Sequence, residues 1–182
     1  MSLPSTCVLD ACFVIDWSRW RRRHLIREIF SMGFMPEITL REVITEKPLR
    51  ALRELILEGW LTVYPHSKEL EEEAVSLILD ARRDPRIPRI DPPEALCVTL
   101  ARRLGSAVLT ENRGIIRAYW LMREKFSPAI VLNSLRLLAY MYMRGLFSGM
   151  SFLELVEEYE RDSNHSFSPL EVRVVAREFG IE

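Results

Sequence analysis

Hydrophobic and polar positions alternate along the chain in short blocks that predict strands and helices in turn. The run Thr6 to Leu9 is apolar, ends at Asp10 and predicts a short buried strand. From Trp17 to Phe30 the residues Trp17, Trp20, Ile26, Ile29 and Phe30 share one side of a predicted helix, and Gly33 breaks it. Phe34 to Ile38 reads as a second strand flowing into a helix from about Thr39. Pro48 suits the first turn of a helix over Leu49 to Glu58, which Gly59 closes. Trp60 to Tyr64, aromatic and β-branched, predicts a strand between Gly59 and Pro65. Ser67 caps a helix to about Arg83, with Glu71 near the position of a capping-box partner. Four prolines between Asp84 and Pro93 predict a loop. Glu94 to Leu104 is a helix ended by Gly105, and Ser106 to Leu109 a strand running into Thr110, Glu111 and Asn112. A further helix follows, then a last strand over Pro128 to Leu132 and a helix over Leu135 to Arg144. Strands alternating with helices predict a three-layer α/β/α fold around a parallel sheet of about five strands.

After Gly149 the pattern turns wholly helical. Ser151 caps one helix to about Arg161, and Ser168-Pro169 opens another to Phe179. The expected division is an α/β domain over residues 1–148 and a helical tail over 149–182. The ladder of Leu135, Leu138, Tyr140, Met141, Tyr142 and Phe147 is either core or a dimer face, and a homodimer is the expected assembly.

Composition narrows the picture. At 182 residues and 48% hydrophobic, the chain buries the core of one domain. A formal net charge of -1 carries no global nucleic-acid footprint, so any basic surface is local. The clearest such patch is Arg19-Trp20-Arg21-Arg22-Arg23: Arg19, Arg21 and Arg22 are candidates for RNA phosphates, against a plain helix with Trp20 in the core. Arg113 and Arg117 are a second pair of candidates. Three scattered cysteines and three scattered histidines form no zinc pattern. No basic segment precedes an apolar one at the N-terminus, and no apolar run nears the roughly 20 residues of a membrane span. The expectation is a soluble cytoplasmic protein without a membrane partner.

Ligands of open parallel sheets gather beyond the carboxyl ends of the strands. Asp10 ends the first strand, Glu42 lies about one turn into the helix after the second, Glu94 opens the helix before the fourth, and Glu111 follows the fourth. Carboxylates brought together repel, so such a cluster makes sense mainly around a cation, and all-oxygen donors favour Mg or Mn. Glu46 and Asp91 compete with Glu42 and Glu94 for these roles, and Asp16 reads as a helix N-cap or first-turn acid.

The runs Cys7-Val8-Leu9-Asp10-Ala11-Cys12-Phe13, Pro36-Glu37-Ile38-Thr39-Leu40-Arg41-Glu42-Val43, and Glu94 through Ala101-Arg102-Arg103-Leu104-Gly105-Ser106-Ala107-Val108-Leu109-Thr110 together resemble the PIN domain family. The resemblance spans about residues 5 to 147, and the tail looks like one carried by some prokaryotic, toxin-like PIN relatives. It implies a metal-dependent endoribonuclease, with Asp10, Glu42 and Glu94 on metal-site positions and Glu111 or Asn112 in the fourth. Implied partners are RNA and, for a toxin-like member, an antitoxin-like protein. The chain departs from the family at two places. It reads Thr110-Glu111-Asn112 where Thr-x-Asp is usual, and Cys12 where Ser, Thr or Asn usually follows the first aspartate by two residues. These departures support a second reading, a non-catalytic PIN domain that binds RNA or a protein. A third is a structural subunit whose tail docks a partner.

Overall fold

Short strands whose central members are almost fully buried need cover on both faces, and the helices supply it. The computed structural model describes residues 3–181. Its five-stranded sheet comprises β1 (Thr6–Leu9), β2 (Met32–Pro36), β3 (Leu61–Tyr64), β4 (Ala107–Leu109) and β5 (Ile130–Leu132), in the order β3-β2-β1-β4-β5. Every neighbouring pair is parallel. The period of two along each strand divides the core. Cys7, Leu9, Met35, Ala107, Leu109 and Leu132 face one apolar cluster, while Val8, Val108 and Val131 face the other. The first is covered by α1 (Ala11–Trp17), α3 (Glu46–Leu57), α7 (Ser134–Met143) and α8 (Phe152–Ser163). The second is covered by α4 (Lys68–Ala81), α5 (Pro92–Leu104) and α6 (Arg113–Leu121). The three-layer α/β/α fold expected from the sequence is the observed one. Among the described residues no helix is long and apolar enough to cross a membrane.

Two local expectations are corrected. No single helix runs from Trp17 to Phe30. Asp10 caps a helix that starts at Ala11 and is over by Ser18, and Arg23–Glu28 forms a 3-10 turn. The Trp17 indole donates to the Arg23 carbonyl at 3.0 Å, drawing the chain into a tighter path than an α-helix. Nor is Glu42 inside a helix: α2 (Glu37–Leu40) is one turn long, and Glu42 lies in the turn beyond it.

Of the ladder from Leu135 to Phe147, Leu135, Leu138, Met141 and Phe147 are buried in the core, while Tyr140 and Tyr142 are partly exposed. Trp20 is completely buried as well. The tail shares this core. α8 inserts Phe152, Leu155, Val156 and Tyr159 into the cluster that also holds α1 and α7, and α9 (Pro169–Phe179) adds Val175. Both tail helices open with a Ser-x-x-Glu capping box, at Ser151/Glu154 and Ser168/Glu171. On the opposite layer the proline-rich loop lies against α6 only because residue 114 is glycine. A Cβ there would stand 2.9 Å from the carbonyl oxygens of Pro88 and Arg89.

Candidate functional site

Between β1 and β4 the strand order reverses, opening the crevice where parallel sheets hold ligands. The register aligns Leu9 with Leu109, so Asp10 and Thr110 leave the sheet side by side. Asp10 is 1% exposed. Its Oδ1 accepts from the Ala11 N–H at 2.8 Å, and its Oδ2 accepts from the Thr110 hydroxyl at 2.5 Å and the Cys12 thiol at 2.9 Å. Burial pushes its carboxyl above the ordinary range, against those donors. Burial beside Asp10 likewise keeps the Cys12 thiol protonated. Cys12 thus supplies the donor that a hydroxyl or amide would supply at this position.

Glu94 sits in the first turn of α5. Its Oε1 accepts from the Asn112 amide at 2.9 Å, while its Oε2 is buried without a hydrogen-bond partner. Burial raises its carboxyl, and Asp10 and Asp91 add to the shift. Glu42 is at the solvent-facing rim, yet desolvation, Glu94 and Asp10 in that order raise its carboxyl too. Asp10, Glu42 and Glu94 therefore share one field of repulsion, which raises the Glu42 and Glu94 carboxyls. As placed, they do not converge: among the described residues no three His, Cys, Asp or Glu side chains form a group able to hold a metal ion. The donor chemistry still fits a hard cation, since the acids are all oxygen donors and one buried oxygen lacks any partner.

Glu111, expected as the fourth acid, turns elsewhere. Its Oε1 accepts from the Ser134 N–H at 2.7 Å, and its Oε2 lies 3.8 Å from His165 Nε2. Burial pushes its carboxyl up to about 7, with Ser134 and His165 opposing. Asn112 is the N-cap of α6, its Oδ1 accepting from the Ile115 N–H at 3.0 Å, which leaves its amide NH2 for Glu94. Asp16 is not a cap but the partner of His165 Nδ1, at 2.8 Å. Of the competing acids, Glu46 pairs with Arg50 and Asp91 with Arg89, each at 2.7 Å.

The basic cluster is also placed differently from the expectation. Arg21 donates from Nε and Nη2 to both oxygens of Asp162, at 2.7 and 2.8 Å. Arg22 holds Glu158 in the same way at 2.9 and 3.1 Å, and Arg19 donates to the Ser163 carbonyl at 3.2 Å. Three guanidiniums read as phosphate ligands are thus engaged by the tail. Arg113 and Arg117 are exposed on α6 and have no ion pair among the described residues. With Trp120, 49% exposed, they line one side of an open groove of about 610 Å³, joined by Arg86, Arg136 and Leu170. Sequence reasoning gave no part to His165 or Trp120. An aromatic at seven residues from Arg113 on the same helix face was the available signal for Trp120; nothing local marked His165.

No family model matches the sequence, and no curated protein matches it. Among solved structures, the chain is similar to the crystal structure of VapBC2 from Rickettsia felis bound to a DNA fragment from their promoter. The TM-score is 0.49 and the identity 13%, over 70% of this chain and 98% of that one.

Proposed function

We propose that the chain is a PIN-type, metal-dependent endoribonuclease. The observation that carries the reading is the set of carboxyls at the switch point: Asp10 and Glu94 are drawn out of water, Glu42 stands at their rim, and Glu94 Oε2 has no partner. A fold bears such repulsion where a cation relieves it. Asp10, Glu42 and Glu94 would hold Mg or Mn through oxygen. An ion held there would supply Lewis acidity, lowering the pKa of a water and offsetting charge on the scissile phosphate. The chain's own residues prepare that chemistry. Thr110 and Cys12 fix the direction of Asp10, and Asn112 fixes Glu94. Arg113, Arg117 and Trp120, at i, i+4 and i+7 along α6, lead away from the site and suit two phosphates and one stacked base of an RNA strand. An antitoxin-like protein and a second copy of the chain are the further partners the resemblance implies.

One observation favours a non-catalytic, binding PIN domain instead. The Asn112 amide occupies one Glu94 oxygen and Glu111 faces away, leaving the cluster an acid short. Incubation with a panel of structured RNAs in Mg or Mn separates the two, with EDTA and Asp10→Asn as controls. Cutting that needs both metal and Asp10 is the expected result. RNA binding without cutting, from folded protein, would replace the nuclease with the binding domain.

A further inference from the structure

The segment between α8 and α9 brings His165 to Glu111, beside the carboxylate site, and both its backbone and its ring have partners there. Its N–H donates to Ser163 Oγ at 3.1 Å, and its ring lies 4.6 Å from the Phe167 ring. The Phe167 N–H in turn donates to Glu160 Oε1 at 2.6 Å. The imidazole bridges two acids, Asp16 from α1 at 2.8 Å and Glu111 at 3.8 Å. Glu111 is the middle residue of the turn that touches both site carboxyls. Thr110 before it donates to Asp10, Asn112 after it donates to Glu94, and its own N–H reaches Cys12 Sγ at 3.2 Å. That turn is held through the Glu111 side chain at two points, a 2.7 Å hydrogen bond from the first N–H of α7 and a 3.8 Å charge contact with the imidazole from the tail.

We propose that His165 is a positioning residue of the carboxylate site, that Glu111 is its anchor and not a metal ligand, and that the tail is therefore a working part of the site. A side chain already committed to Ser134 and His165 must leave both to reach a cation held by Asp10 and Glu94. An outer partner that orients ligands leaves its mark on geometry first and on metal affinity second. The effect on metal and RNA rests on the ribonuclease reading; the effect on the 110–112 turn does not.

The test uses the full chain and two readouts besides cleavage, Mn2+ binding and amide hydrogen exchange. Glu94→Gln is expected to weaken Mn2+ binding by about tenfold or more, and Glu111→Gln by no more than about threefold. Equal losses in the two variants would make Glu111 a ligand and overturn the assignment. His165→Ala is expected to speed exchange in residues 110–113 by about tenfold with α5 unchanged, since the turn loses one of its two pins. It should lower kcat by a similar factor while KM for RNA stays within about twofold. Asp16→Asn loosens the same imidazole without touching the tail helices, and is expected to move the same exchange segment by a smaller factor. Unchanged exchange in 110–113 for both variants would overturn the positioning role. If the wild type binds no Mn2+ and cuts no RNA, the ribonuclease reading fails, and the exchange arm still decides the role of His165.

Discussion

Glu158 on α8 is the most buried of the charged fastenings between the tail and the body, and its removal should lower the stability of the fold. Glu158 is 5% exposed, and its carboxylate accepts three hydrogen bonds. Oε1 takes the Trp20 indole N–H at 3.0 Å and Arg22 Nε at 2.9 Å, and Oε2 takes Arg22 Nη2 at 3.1 Å. The hydrogen bond from Arg22 is the largest influence holding this carboxyl below the usual range. Glu158→Ala strands the Trp20 N–H, whose side chain has no access to water. An orphaned buried donor costs about 1–3 kcal/mol. Arg22 is 38% exposed and rehydrates, so losing that pair adds only about 1 kcal/mol. The sum, about 3 kcal/mol, corresponds to a fall in Tm of about 6–12 °C for a chain of this size. Glu158→Gln keeps an acceptor for Trp20 and gives up the charge, so about 1 kcal/mol is expected. Urea unfolding followed by tryptophan fluorescence, compared at equal m-value, measures both. A loss below about 0.5 kcal/mol for the alanine variant, or equal losses for the two, would refute the account of Trp20 as the dominant cost.

Two further predictions concern charge. Glu111 is raised from 4.5 to about 7 by burial, so the folded state holds its proton more tightly than the unfolded chain, and stability falls as pH rises across that interval. His165, raised chiefly by Asp16, acts in the same direction, its contribution being complete below 6.5 and lost as pH rises through its folded value. In EDTA the Tm should therefore drop between about pH 5 and about pH 8, and Glu111→Gln should flatten the drop; a flat or rising wild-type profile contradicts this. In the groove, the pair Arg113→Glu and Arg117→Glu should weaken binding of a short single-stranded RNA and reduce the log-log salt slope by about two. Trp120→Ala should cost about 1–3 kcal/mol of binding with the slope unchanged. A slope that does not move in the double variant takes those arginines out of the RNA path.

What could be read in the sequence was what chain-local chemistry decides. Each strand is a short apolar block between turn residues, and Asp10 and Glu94 stand where a strand ends or a helix begins. Their places followed from the block pattern alone. Side-chain direction did not follow. Glu111 has the right backbone position for a fourth acid, but its carboxylate goes to the free N–H at the start of α7 and to His165, because both compensate its burial better than three repelling acids do. The arginines misled for a related reason. Arg22 and Glu158 are 136 residues apart and Asp16 and His165 are 149 apart, so a window of sequence shows a bare basic cluster where the fold shows a docked one. Periodicity over Trp17 to Phe30 failed similarly. It identified the apolar side, yet the turn there is set by an indole reaching a carbonyl and by Trp20 reaching the tail. In this chain the tail's acids thus engage Arg21 and Arg22, while Arg113 and Arg117 on α6, which have no ion pair among the described residues, line the groove beside the tail.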